Sequence, residues 1–255
     1  MSAGARSRGA ASRTLELLQS IAAGDLEFAL SELAGRAGLA PSTAHRLLEP
    51  WVGRDLIERA GPKAYRVGPG LFRIASLIVR NYERPRIART FLEALWRTWQ
   101  ETASFCLYKP ATRTATVAES IASPHPLQYV LTPHAEIPLA WGSLGRAILA
   151  QLPPREIRLV MAHDRGSPLS GKRLPSSRVL LAELRAIHQR GYALYRDDVV
   201  NVAGVSAPVT GADGAVIGSL GVTMPASRFG KTVQARLPRA VMDSARRLST
   251  AFGAR

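Results

Sequence analysis

Across residues 31–67 the apolar positions fall on two short helical stripes followed by two short extended runs, and the rest of the chain is organised around that stretch. The second stripe is the clearer one: Ala44, Leu47, Leu48 and Trp51 stand at i, i+3, i+4 and i+7, one inward face of a helix. Pro41 suits the first turn of that helix, where its missing N–H is no loss. Ala34 is a small residue where two helices can cross, Gly38 is free to take a positive φ at the turn between them, and Ala44 is small enough to pack beneath that turn. Residues 56–60, the Gly61-Pro62 turn and residues 64–67 then predict a hairpin with Lys63 at its tip. Upstream, Ser12 is placed as the cap of a first helix, with Glu16 near its third position and Leu15, Leu18, Ile21 and Ala22 as its inward stripe.

Downstream, Gly68-Pro69-Gly70 breaks the chain before residues 71–82, a helix apolar on two sides: Leu71, Ile74, Leu77 and Ile78 form one stripe, Phe72, Ala75 and Val79 another. A helix with two apolar faces between domains packs against more than its own domain, and a partner subunit is the economical choice. From residue 84 a helix runs to 101, with Ile87, Phe91, Leu95 and Trp99 inward. Strands are expected at 103–108, 114–119, 127–131, 192–196, 204–210 and 215–223, the last two joined at Asp213-Gly214, a strong hairpin signal. Helices are expected at 143–151, 153–162, 176–190 and 230–252. Helices framing an antiparallel sheet indicate an α+β domain. The organisation expected is a disordered basic arm over 1–11, a winged helix-turn-helix over 12–68, a linker helix over 69–83 and a second domain over 84–255.

The polar side of the helix that begins at Pro41 carries Ser42, Thr43, His45, Arg46 and Glu49. Short donors plus a guanidinium at a helix start are the chemistry that reads base edges and phosphates in a major groove of double-stranded DNA. Arg59 and Lys63 on the ribbon and Arg13 near the first helix would reach phosphates, adding affinity more than specificity. The net charge of +15 favours a polyanionic partner, yet residues 1–83 hold 11 Lys and Arg against 8 Asp and Glu, while residues 84–255 hold 23 against 11. The motif, not the bulk charge, makes the case for DNA. One cysteine, Cys106, allows no intramolecular disulfide and no cysteine-rich metal site, which fits the cytoplasm, and no apolar run has the length of a membrane span.

Catalytic chemistry finds little support. Cys106 lies in an alternating strand, where free cysteine is core more often than nucleophile. His163-Asp164 and Asp197-Asp198 are adjacent pairs whose side chains diverge, unlike metal-ligand spacings. The run from Gly142 to Gly145 lacks the lysine and hydroxyl tail of a P-loop. No catalytic residue, metal or cofactor is therefore assigned. Two other classes stay open: a winged helix used for protein contacts, and a small-molecule enzyme with an accessory DNA domain.

Five segments in order, SELAGRAGLAPSTAHRLL at 31–48, YRVGPGL at 65–71, PLAWGSLGRAILAQLP at 138–153, GYALYRDD at 191–198 and SAPVTGADGAVIGSLGVTMP at 206–225, resemble the IclR family of bacterial transcriptional regulators over nearly the whole chain. The resemblance implies a DNA-binding homodimer or homotetramer that controls a catabolic operon through a near-palindromic operator. It implies, too, a GAF-like or profilin-like α+β domain whose cup on a curved sheet binds a small-molecule effector. Carried over residue by residue, the cup would be lined by Trp141, Ser143, Leu144, Tyr195, Gly204, Gly221 and Thr223. Two glycines remove volume and polar contacts while Trp141 and Leu144 offer apolar walls. This predicts a small organic acid that is flat, an aromatic carboxylate, seated on backbone N–H groups at the helix start near Ser143.

Overall fold

The structure is a computed structural model that describes residues 9–164 and 166–254, apart from the side chains of Arg80 and Asn81. The chain divides into two compact units, Met1–Tyr82 and Glu83–Arg255.

In the first unit, α1 (Ala10–Ala22) starts earlier than its expected cap: Gly9 holds the cap position and Ser12 lies inside the helix. Ala10 and Ala11, expected in the arm, are thus helical, while residues 1–8 of that arm lie outside the described residues. The stripe is also rotated, because Leu17 and Ile21 are buried whereas Leu15 is 59% exposed. Next comes β1 (Glu27–Ala29), a strand too short to show alternation in sequence. Helix α2 (Leu30–Arg36) is followed by Gly38 at φ +63° and then α3 (Pro41–Val52), with Pro41 in its first turn. β2 (Ile57–Arg59) and β3 (Ala64–Val67) form the hairpin, and β1 pairs antiparallel with the other side of β3, so the wing has three strands in the order β1-β3-β2. Leu17, Ile21, Phe28, Leu33, Ala34, Ala44, Leu48, Ile57 and Tyr65 make one buried core.

Helix α4 (Pro69–Asn81) closes this unit. Its start presses on the turn after α3: a Cβ on Gly68 would lie 2.3 Å from the Asp55 carbonyl oxygen, so only glycine fits there. Leu71 at the start of α4 packs against that core, while the rest of both apolar stripes is exposed, with Ile78 at 63% on one and Phe72 at 70% and Val79 at 73% on the other.

The second unit is built on a six-stranded antiparallel sheet of β4 (Thr102–Lys109), β5 (Thr114–Ile121), β6 (Glu136–Pro138), β7 (Ala193–Asp197), β8 (Val202–Thr210) and β9 (Val216–Met224). The strands lie in the order β6-β5-β4-β9-β8-β7. Alternation along them sorts the two faces. Phe105, Val205, Ala207, Leu220 and Val222 join a core with α5 (Glu83–Trp99) and α9 (Lys231–Ala251). The opposite side of the same strands carries Thr102, Ser104, Cys106, Ser206, Ser219 and Thr223, beneath α6 (Gly142–Leu149), with α7 (Pro154–Ala162) and α8 (Ser177–Arg190) adding a second core. The α+β class predicted from the pattern is the one observed, with one strand misplaced. Residues 127–131 are irregular, and β6 pairs with β5 in their stead, from Thr114 opposite Pro138 to Thr116 opposite Glu136. Pro124, Pro126 and Pro133 crowd that segment and lack ladder donors, and the Tyr129 carbonyl accepts from the Thr102 hydroxyl rather than from a strand.

Candidate nucleic-acid interface and effector cavity

Helix α3 divides as its sequence requires. Ala44 and Leu48 are buried and Leu47 and Trp51 half-buried, so Ser42, His45, Arg46 and Glu49 are left exposed and Thr43 partly so. Arg46 makes no ion pair or side-chain hydrogen bond among the described residues, and Lys63, exposed near the hairpin turn, contributes only its backbone carbonyl, to Leu30 N–H. Arg59 is different. Its Nη2 sits 2.5 Å from Glu49 Oε1, and His45 Nε2 lies 3.3 Å from the same oxygen. One exposed carboxylate thus ties the wing to α3, a tether that depends on the ten-residue separation of Glu49 and Arg59 being closed by the fold. Arg13 lies half-buried in the first turns of α1.

In the second unit a cavity of about 240 Å³ opens between the sheet, the start of α6 and two irregular segments. Of the seven residues expected to line it, Trp141, Ser143, Leu144, Tyr195, Gly204 and Thr223 do so. Gly221 does not. It lies opposite Ser206 in the β8–β9 register, and a Cβ there would stand 2.0 Å from Ser206 Oγ, so the glycine makes room for that side chain and is covered by it. Gly204 acts directly on the cavity floor: a Cβ would lie 2.7 Å from Ser143 Oγ and 3.3 Å from Thr223 Oγ1, so two hydroxyls converge over a missing side chain. Ser206 Oγ donates to Ser143 Oγ at 2.8 Å, which leaves the Ser143 proton available to the cavity. The same hydroxyl stands in the first turn of α6, where backbone N–H groups have no intrahelical partner and the helix dipole favours an anion.

The walls are held from behind. Trp141 is both wall and core, with its indole N–H donating to Asp164 Oδ1 at 2.7 Å. Arg146, buried one turn further along α6, donates to the Ala140 carbonyl at 3.0 Å and to Glu183 Oε1 at 2.6 Å. Its guanidinium lies 5.5 Å from the Tyr195 ring centre and 6.0 Å from that of Trp141, so one buried cation props both aromatic walls. Ser167, Pro168 and Leu169 close another side, and their loop is fixed to β7 by Lys172, whose ammonium donates to both Asp197 oxygens at 2.9 Å. That contact holds the Asp197 carboxyl below its ordinary range against the opposing pull of burial. Burial, and next the charge of Asp197, push the Tyr195 hydroxyl up, and burial does the same to Tyr129.

Sequence patterns missed Tyr129, Leu131, Ile137, Ser167 and Val202 on this lining. The first two belong to the segment read as a strand, and no local period marks an irregular segment as a wall. Arg146 stood within a quoted motif, but its role as a prop depends on Tyr195, which only the β7–α6 contact brings near.

The family model described as bacterial transcriptional regulator IclR C-terminal matches residues 78–250, and that of the IclR helix-turn-helix domain matches residues 10–61. The chain belongs to the IclR family. It is a DNA-binding transcriptional regulator of that family, and among its relatives are regulators, in agreement with the expectation that it is not an enzyme. It is 28% identical to the HTH-type transcriptional regulator BhcR of Paracoccus denitrificans over 240 residues, covering 93% of this chain and 85% of the relative. It is 25% identical to the transcriptional repressor IclR of Escherichia coli over 76% of this chain and 70% of that one. Among solved structures, an IclR transcriptional regulator from Alicyclobacillus acidocaldarius superposes with a TM-score of 0.78 at 18% identity, covering 96% of this chain and 98% of the other. An IclR homologue from Microbacterium hydrocarbonoxydans, complexed with 4-hydroxybenzoate, gives 0.76 at 18% identity over 96% and 99%.

Against this IclR background the candidates for chemistry settle into structural roles. Cys106 is buried, and burial pushes its thiol up to about 12, far from a working nucleophile. Asp197, the last residue of β7, turns inward to Lys172, while Asp198, in the turn that follows, pairs outward with Arg196, so the two carboxylates diverge. No group of three or more metal-ligating side chains occurs among the described residues, and none of their helices is long and apolar enough to cross a membrane.

Proposed function

We propose that this IclR regulator represses or activates a catabolic operon in the cytoplasm in response to a small organic acid, an aromatic carboxylate. The observation that carries this reading is the makeup of the cavity. Trp141, Tyr129 and Tyr195 supply aromatic wall and Val117, Leu131, Ile137, Leu144 and Val202 aliphatic wall; among the described residues no lysine or arginine lines it, and Glu136 is its one carboxylate. Its volume of about 240 Å³ is below the roughly 300–1,000 Å³ usual for drug-sized ligands, which suits one ring with short substituents. A carboxylate on that ring is seated by the Ser143 and Thr223 hydroxyls and the N–H groups at the start of α6, a helix-dipole seat that needs no cationic side chain. The homologue holding 4-hydroxybenzoate supports the same ligand class. Calorimetry with benzoate and glyoxylate is the test: benzoate binds at least tenfold tighter, and tighter binding of glyoxylate rejects the reading.

On the DNA side, Ser42, Thr43, His45 and Arg46 read base edges while Arg13, Arg59 and Lys63 hold the backbone, with a second copy presenting the same helix to a near-palindromic operator. The outward stripes of α4, with Ile78 63% exposed beside Phe72 and Val79, are too apolar to face water and are covered by that second copy in a homodimer, and a homotetramer forms only through other surfaces. Leu77→Glu with Ile78→Glu halves the mass seen by sedimentation, without unfolding the winged helix. An unchanged mass excludes this face from assembly. Effector and operator are linked if the two states of the assembly differ in affinity for the acid, by a coupling of about 1–3 kcal/mol.

A further inference from the structure

We propose that the outward face of α9 is a second contact for the phosphate backbone of duplex DNA, distinct from the α3 face and located in the unit that carries the effector cavity. The first sign is where the charge lies, since residues 84–255 hold 23 Lys and Arg against 11 Asp and Glu, and residues 1–83 only 11 against 8. The winged helix is the less basic part of a DNA-binding chain. Part of that excess is aligned on one rail of α9. Arg236, Arg239, Asp243, Arg246 and Arg247 share one side of α9 at about 100° per residue, opposite the buried Leu237, Val241, Ala245 and Leu248.

All four guanidinium groups are exposed. The acid among them, Asp243, is taken by Arg246 at 2.7 Å, and Arg247 lies over the Phe91 ring at 5.7 Å. Arg236 and Arg239 have no ion pair or side-chain hydrogen bond among the described residues, and they line an open groove beside Thr98 and Trp99 in which Asp243 is the one acid. On neighbouring α5 the pattern is the reverse: Arg89 and Arg97 both pair with Glu93, and Arg86 pairs with Glu83. The rail from Arg236 to Arg246 runs about 15 Å at about 1.5 Å per residue, the span of four or five base-pair steps of about 3.4 Å.

The chemistry favours a smooth polyanion over an acidic protein. Guanidinium groups grip phosphate oxygens in pairs and shed water readily. Between the arginines the rail itself offers only Ala235, Ala240 and Ser244, and the larger apolar residues of the groove, Leu95 and Trp99, are buried and half-buried on α5 rather than projecting as anchors. Duplex DNA is, besides, the polyanion that this regulator's other unit binds. A phosphate contact of this kind raises affinity for duplex without adding sequence information.

The test uses the full chain and a mixed-sequence duplex several helical turns long, with affinity followed by anisotropy across a salt series. Arg236→Gln with Arg239→Gln removes two phosphate contacts from each subunit, so the slope of log affinity against log salt becomes shallower by about 2 for each subunit of the homodimer that engages the duplex, at about 0.9 per contact. Both residues are exposed and unpaired, so the melting temperature stays at the wild-type value. In an Arg46→Ala background the same pair lowers the remaining binding with the same change of salt slope. Glutamate at both positions deepens the loss. An unchanged slope overturns the proposal and points to an acidic protein on this face. A changed sedimentation mass on substitution also overturns it, because a second copy then occupies the rail.

Discussion

Arg46→Ala abolishes retention of the regulated promoter fragment in a gel-shift assay while benzoate affinity stays at the wild-type value. A guanidinium reading a base pair bidentately discriminates by about 1–3 kcal/mol, and a dimer loses that amount in each half-site. The expected drop is therefore from about thirtyfold upward, at about 1.4 kcal/mol per factor of ten. The fold tolerates the change, since Arg46 is exposed on α3 and holds no partner among the described residues, whereas the helix is anchored through Ala44 and Leu48. His45 and Arg59 give smaller effects, because Glu49 engages both and each must exchange that partner for a phosphate. Unchanged retention in the Arg46 variant removes α3 from the role of reader.

Gly204→Val closes the effector cavity from below. The first added carbon already falls 2.7 Å from Ser143 Oγ, and the two methyl groups beyond it take the space over which the Ser143 and Thr223 hydroxyls converge. Overpacking of this kind costs about 1–3 kcal/mol of stability, and because the displaced Ser143 hydroxyl and the filled volume belong to the proposed effector seat, benzoate binding weakens by roughly five- to a hundredfold in calorimetry as well. DNA binding in the absence of effector persists, since Gly204 lies in the unit without the winged helix. Wild-type benzoate affinity in this variant would place the effector elsewhere. Gly221→Ala serves as the contrast: it strikes the β8–β9 seam against Ser206 rather than the cavity, and lowers the melting temperature first.

The two glycines show what a sequence does and does not disclose. In the same sheet and on the same face, they were read as one kind of residue, volume withheld from a ligand. Gly204 withholds it from the cavity, Gly221 from Ser206, and the difference depends on the strand register that places Ser206 opposite Gly221. The winged helix was legible because its signals are local. Ala34, Gly38, Pro41 and Ala44 act within a dozen residues of one another, and each restricts the backbone directly through φ, a missing N–H or a small Cβ. Leu15 and Leu17 were not distinguishable in this way, since which of two leucines faces inward in α1 depends on where the rest of the core presents itself.

By itself, then, the order of residues determined the helix-turn-helix and the α+β class of the second unit, features set by periodicity, turn chemistry or motif within short spans, whereas the positions placed around the cavity came from the resemblance to the IclR family. The tertiary structure alone decided the third strand of the wing, the displacement of the expected 127–131 strand by β6, the Glu49 tether to Arg59 and the Arg146 prop between Trp141 and Tyr195. Each of those brings together groups distant in the chain, and the free energy that holds them comes from contacts that do not exist until the sheet has formed its register.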